Sequence, residues 1–242
     1  MSKYDNVEPK EKWEFDEAVA DCFENMLERS IPQYSVMRSA VANLVYKILV
    51  DKPRKETFQL LDIGCSDGLM LESIVSKLNN YGNGHYFGVD VSKPMLDKAK
   101  DRFKNYNSVE IFECDLTRDF PSSHYDIITS ILTLQFIPIN YRQEIIQNVY
   151  DNLSSVRGCF LMVEKVLGNT SSINKLFIDE YHSYKEFNGY SKEQIERKKL
   201  SLEGVLVPVT NDWNIDLLKQ AGFRQVDVFW RWMNFVGYIA IK

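Results

Sequence analysis

The segment Leu60-Leu61-Asp62-Ile63-Gly64-Cys65-Ser66-Asp67-Gly68 constrains this chain more than any other. An apolar run stops at a glycine-bearing turn, and a helix-like segment, Leu69–Leu78, follows at once. A buried strand that turns directly into a helix forms a ligand cradle at the helix N-terminus. Gly64 lets the backbone approach a ligand with no side chain in the way, Ser66 or Asp67 can cap the helix, and Gly68 permits a tight turn. The next strand-like run, Tyr86-Phe87-Gly88-Val89-Asp90, ends in a carboxylate suited to accept both hydroxyl protons of a ribose. A third run, Val109–Leu116, carries Asp115, placed to accept from an adenine amino group.

The loop also selects the kind of nucleotide. A dinucleotide site needs glycine where the pyrophosphate presses on the backbone. Here Asp62 opens the loop while Ser66 and Asp67 fill its middle, so a diphosphate would meet negative charge and side-chain bulk. Adenosine with a cationic tail fits better. S-adenosylmethionine has no phosphate, and its ammonium and sulfonium groups are attracted to a mildly acidic pocket.

At 242 residues the chain suits one large domain, read as 1–242. A net charge of −5 argues against a groove that tracks a nucleic-acid backbone, so no direct nucleic-acid binding is expected. Cys22, Cys65, Cys114 and Cys159 show no CxxC spacing and read as reduced thiols of a cytoplasmic protein. The three histidines and four cysteines never cluster, so no metal site is expected. No apolar run approaches the ~18 residues of a membrane span, which predicts no membrane partner.

Apolar residues recur at helical spacing from Trp13 to Val50 and break at Ile31-Pro32, which predicts two helices as an N-terminal cap over 13–50. Strands and helices then alternate: Phe58–Ile63, Leu69–Leu78, Tyr86–Asp90, Pro94–Tyr106, Val109–Cys114, Tyr125–Leu132, Tyr141–Leu153 and Gly158–Val163. Such alternation means a parallel sheet with helices on both faces. After a helix at Ile215–Ala221, the runs Gln225–Trp232 and Phe235–Ile241 are too close for a crossover and predict an antiparallel hairpin at the sheet edge. The layout resembles the class I methyltransferase fold: an α/β, Rossmann-like sheet of six parallel strands plus one antiparallel. The segment 166–211, rich in tyrosine and lysine, reads as a helical insertion after the fifth strand, serving as lid or dimer contact.

Gly64-Cys65-Ser66, Thr133-Leu134-Gln135-Phe136, Glu164-Lys165 and Asn188-Gly189-Tyr190-Ser191, with Arg29–Ser35 before the first strand, together resemble the carboxy-S-adenosylmethionine synthase family. Those enzymes combine S-adenosylmethionine with prephenate to make a carboxylated cofactor used in modifying a tRNA wobble uridine. The likeness runs from about Trp13 to Lys242. It implies that Tyr34, Gly64, Cys65, Ser66, Asp90, Val91, Asp115 and Leu116 line the cofactor site, and it implies a homodimer in which the insertion reaches a neighbouring subunit.

Two positions depart from the family pattern. Ile131 stands where the family has an asparagine beside the cofactor, and the arginine that grips the extra carboxylate falls on Lys199. Isoleucine cannot hydrogen-bond, and lysine offers a point charge in place of a planar fork. Arg197 lies two residues away, roughly 200° around a helix. These losses favour ordinary methyl transfer to a small organic molecule over carboxylated-cofactor synthesis. The candidate bases are His182, Glu164 and Tyr190, and Lys165, Lys185, Lys199 and Arg197 are candidates for gripping an anionic substrate.

Overall fold

The structure of the protein, a computed structural model, describes residues 7, 11–50, 57–79, 81, 83–155 and 158–242. Two helices, α1 (Glu17–Ser30) and α2 (Tyr34–Val50), precede the sheet. Asp16 caps α1 by accepting the Val19 N–H at 2.9 Å. The chain turns through Ile31-Pro32-Gln33, where Gln33 has φ +52 and proline cannot continue a helix.

The strands and helices then alternate as β1 (Thr57–Ile63), α3 (Leu69–Leu78), β2 (Asn83–Asp90), α4 (Lys93–Phe103), β3 (Val109–Glu113), β4 (Ile127–Ile131), α5 (Ile139–Asn152) and β5 (Cys159–Leu167). Next come α6 (Ser171–Phe187), α7 (Lys192–Leu202), the two-residue β6 (Val209–Thr210), α8 (Asn211–Gln220), β7 (Gln225–Trp232) and β8 (Phe235–Ile241). The sheet order is β3-β2-β1-β4-β5-β8-β7, with β6 paired to the end of β5. Neighbours from β3 to β5 are parallel, and β8 runs antiparallel to both β5 and β7. The hairpin lies at the sheet edge as expected, with its second strand beside β5 and β7 outermost.

Adjacent residues of the central strands point to opposite faces, as the pleat requires. Leu60, Ile127 and Leu161 face a core shared with Val41 and Val45 of α2 and Leu71 and Ile74 of α3. Leu61, Ile128, Phe160 and Met162 face one shared with Ile145, Ile146 and Val149 of α5 and Leu218 of α8. Covering both faces explains why these strands read as continuous apolar runs. A third, smaller cluster joins Trp13, Phe23 and Met26 to Met95 of α4, roofing the carboxyl ends of the strands.

The insertion is tied to this roof. Arg29 Nε donates to Asn188 O at 2.8 Å, Ser30 Oγ donates to the Tyr190 hydroxyl at 3.2 Å, and Trp13 N–H donates to Ser201 O at 2.9 Å. Cys22, Cys65 and Cys159 are buried, Cys114 is half-buried, and all four are free thiols. No described helix is long and apolar enough to cross a membrane, and no described group of His, Cys, Asp and Glu is arranged to hold a metal ion.

Candidate active site

In a parallel sheet ligands settle outside the carboxyl ends of the strands, where the strand order reverses. Here the order reverses at β1, which has β2 on one side and β4 on the other. A cavity of about 330 Å³ opens there, floored by the ends of β1, β2, β3 and β4 and roofed by α1, α6 and α7. That volume lies within the range of small-molecule sites, roughly 300–1,000 Å³.

The β1–α3 loop is shaped by positive φ angles at Gly64 (+70), Ser66 (+52) and Gly68 (+80). Asp90 holds it. One carboxylate oxygen accepts the Ser66 N–H at 3.0 Å and the other accepts the Ser92 N–H at 2.9 Å, leaving each with a further lone pair for a ligand. Burial pushes the Asp90 carboxyl up, against these two donors and the Val91 N–H. Asp67 Oδ1 takes the Leu69 N–H at 3.2 Å, while its other oxygen pairs with Arg102, which also bridges Glu24 of α1 and Glu72 of α3. Of the two expected capping residues, Asp67 therefore serves the start of α3 and Ser66 does not.

Asp62 is fully buried, accepts from Thr129 Oγ1 at 2.6 Å, and has its carboxyl pushed from 3.8 to about 7 by desolvation. Asp115 is more open, and its carboxyl is held low by the Thr117 hydroxyl at 2.7 Å and the Thr117 N–H. Asp62, half-protonated near neutral pH, adds less charge to the floor than Asp115, and together with Asp67 they give it an acidic character suited to a cationic ligand.

All ten residues assigned from sequence to the cofactor meet on this one cavity: Tyr34, Asp62, Gly64, Cys65, Ser66, Asp90, Val91, Asp115, Leu116 and Ile131. Burial raises the Tyr34 phenol and Cys65 thiol far above their ordinary values, so both are neutral walls. The three candidate bases are not on the wall. Glu164 lies within β5, short of its end, and its carboxylate accepts the N–H groups of Thr133, Leu134 and Gln135 at 3.2, 2.9 and 2.8 Å. Burial nevertheless lifts it from 4.5 to about 7. The residues it holds form a short 3-10 turn (Leu134–Phe136), and Gln135 and Phe136 do line the cavity. Tyr190 packs behind the wall with the Arg29 guanidinium 4.1 Å from its ring centroid. His182, on α6, is pushed down by burial and by Lys185 and Lys165 nearby.

The anion-gripping candidates separate in the same way. Lys165 is set back from the cavity with its Nζ 4.6 Å from the Tyr181 ring centroid, and burial lowers it to about 8. Arg197 and Lys199 are exposed on α7, and Lys199 Nζ pairs with Glu196 at 3.0 Å. Lys185 does reach the wall. So does Lys198, which the sequence reading passed over although Ile195, Lys198 and Ser201 recur at the spacing of one buried helix face.

Residues 61–160 match a family described as a methyltransferase domain. Carboxy-S-adenosyl-L-methionine synthase of Methylococcus capsulatus is 36% identical over 231 residues, covering 94% of this chain and 93% of that protein. The synthase of Campylobacter jejuni is 35% identical over 235 residues, covering 97% and 96%. The chain belongs to the carboxy-S-adenosyl-L-methionine synthase family.

The fold of this family member is also found in more distant structures. The CurJ carbon methyltransferase superposes with a TM-score of 0.67 at 16% identity, over 93% of this chain and 61% of that one. The plantazolicin methyltransferase BpumL, in complex with SAH, gives 0.63 at 18% identity, covering 91% and 89%. The protein is thus an enzyme with the S-adenosyl-L-methionine-dependent methyltransferase fold, and S-adenosyl-L-methionine is its cofactor.

Proposed function

We propose that this synthase-family protein transfers a methyl group from S-adenosyl-L-methionine to a small organic acceptor enclosed between the sheet and the α1, α6 and α7 roof. The observation that carries the reading is the wall at Ile131. An aliphatic side chain lines the cavity where the family resemblance implies a hydrogen-bonding asparagine. A new carboxylate built beside the sulfonium would be a buried charge, which costs several kcal/mol unless it is paired and hydrogen-bonded. The residue aligned with the family's gripping arginine, Lys199, is exposed and paired with Glu196 within the same helix.

The cofactor supplies an electrophilic methyl on sulfur. The protein residues align and enclose it. Asp90 holds a ribose, Asp115 meets an adenine amino group, and Gly64 gives backbone access near the methionine end. Asp62 and Asp67 favour the positive charge on the sulfonium side. Desolvation under the roof strengthens these interactions, and alignment is the main catalytic demand on a methyl transfer.

A second reading has its own support: whole-length identity of 35–36% to proteins named as synthases favours formation of carboxy-S-adenosyl-L-methionine from S-adenosyl-L-methionine and prephenate. Mass spectrometry of the purified protein incubated with both compounds separates the two. Little or no carboxylated cofactor is expected, and efficient prephenate-dependent gain of a carboxyl group overturns methyl transfer. We further propose a homodimer with the insertion at its interface, supported by Ile173, Leu176, Phe187 and Leu200, exposed apolar residues on α6 and α7.

A further inference from the structure

The side chain of Arg102, on α4, is 20% exposed and meets three carboxylates at once. Its Nε donates to Asp67 O at 2.9 Å, and Nη2 donates to Asp67 Oδ2 at 3.2 Å and to Glu24 Oε1. The other terminal nitrogen, Nη1, donates to Glu72 Oε2 at 2.6 Å. One planar group thus joins α4, the β1–α3 loop at Asp67, the first turn of α3 at Glu72 and α1 at Glu24. A lysine in its place would offer a point charge, which cannot serve partners in so many fixed directions.

Two of these partners belong to opposite sides of the cavity. Asp67, 5% exposed, lines it together with Gly64, Cys65 and Ser66 of the same loop. Glu24 sits among Phe23, Met26 and Leu27, the α1 residues that line the cavity from the roof. Burial pushes the Asp67 carboxyl up, and the Arg102 charge is the strongest influence holding it down. Without the guanidinium the three carboxylates would repel one another, and Asp67 would be a buried charge deprived of its cationic partner. The loop and the roof are therefore held together by a group that stands behind the wall rather than on it.

We propose that Arg102 is a positioning residue for the cofactor, fastening the α1 roof to the β1–α3 loop and so setting how long S-adenosyl-L-methionine stays enclosed. It acts through Asp67 and Glu24. The loop keeps its shape because Asp67 is gripped at both its carbonyl and its carboxylate, and the roof stays down because Glu24 shares the nitrogen that holds Asp67. The inference concerns the cofactor alone and holds for either reaction considered above.

The test loads tritiated S-adenosylhomocysteine onto the protein and chases it with excess unlabelled compound to read the release rate, with melting curves of the ligand-free proteins to read stability. Arg102→Gln should release the ligand about tenfold faster than the parent, and Glu24→Gln about threefold faster. The Glu24 and Glu72 side chains are similarly exposed, at 41% and 37%, so Glu72→Gln should lower the melting temperature about as much as Glu24→Gln. Because the Glu72 arm stays with α3, that variant should nevertheless release the ligand at the parental rate. Adding Glu24→Gln to Arg102→Gln should speed release no further, since the arm has already lost its anchor. Release at the parental rate from Glu24→Gln overturns the proposal even where Arg102→Gln fails to fold. Equal acceleration by Glu24→Gln and Glu72→Gln also overturns it, by making Arg102 a support of the fold alone. Failure of the parent to bind S-adenosylhomocysteine at all instead overturns the cofactor reading, and the inference falls with it.

Discussion

The side chain of Thr133 occupies the space that a Cβ on Gly64 would need: an ideal Cβ there would lie 2.2 Å from Thr133 Cγ2 and 2.3 Å from its Oγ1. Thr133 is itself pinned, with its hydroxyl near Ile63 O at 3.2 Å and its N–H on Glu164. The end of β1 and the end of β4 are thus fitted to each other around an absent side chain.

Gly64→Ala therefore meets both a steric clash and a left-handed φ of +70. We expect a loss of about 2–4 kcal/mol in stability and of cofactor binding. Chemical denaturation alongside calorimetry measures both, and a variant with parental stability would show that the two strand ends are free to part.

Asp90→Ala should weaken S-adenosyl-L-methionine binding ten- to a hundredfold, about 1.5–3 kcal/mol. The carboxylate also orders Ser66 and Ser92, so the loss includes a less organised loop. Unchanged affinity by calorimetry would remove Asp90 from the ribose.

Glu164 serves as the acceptor for three successive backbone N–H groups, next to Leu132, a branched residue held at φ +60. Glu164→Ala leaves those donors buried and should cost about 3–5 kcal/mol, whereas Glu164→Gln keeps one carbonyl oxygen and should cost less. For a chain of this size each kcal/mol lowers Tm by about 2–4 °C, so melting curves resolve the order. Equal melting of parent and alanine variant would mean that the turn holds itself.

The buried Asp62 carboxyl titrates at about 7 in the folded chain against 3.8 when unfolded. Between these values the folded state binds a proton that the unfolded state releases. Its contribution to stability is full below about 3.8 and is lost as pH rises through about 7. Asp62→Asn keeps an acceptor for Thr129 but cannot ionise, so the variant should gain stability relative to the parent as pH rises from 5 to 8. A difference that stays constant over that range would place the Asp62 titration elsewhere.

Light scattering across micromolar concentrations tests assembly. A mass of twice the 28.3 kDa chain is expected, and a monomer mass throughout would leave the exposed apolar residues of α6 and α7 without the proposed partner.

The floor of the cavity was legible because each of its parts is local: a glycine turn after one strand, and an aspartate at or just past the end of each of the next two. The parallel sheet and its closing antiparallel hairpin were legible from alternation and spacing, but the strand order was not, and β6, only two residues long, carries no pattern to read. The wall was harder. On α7 the family resemblance falls on Lys199, while the burial of Lys198 is set by which side of the helix meets Trp13, a residue distant in sequence. Glu164 invited a catalytic role because a carboxylate near a strand end is usually accessible. Here β5 continues to Leu167, and the carboxylate is used by a turn that no periodicity marks.

The ties between Trp13 and Ser201, Arg29 and Asn188, and Ser30 and Tyr190 join chain segments that lie on either side of β1 to β5 in sequence. During synthesis every residue assigned to the cofactor floor has been made by the time the chain reaches Ile131. Lys185, Lys198 and the partners of the roof come only later. A nascent or truncated chain that stops before α6 has the floor of the cavity and none of the α6 and α7 residues that roof it, so the two halves of the cavity come into being at different times and the second completes the first.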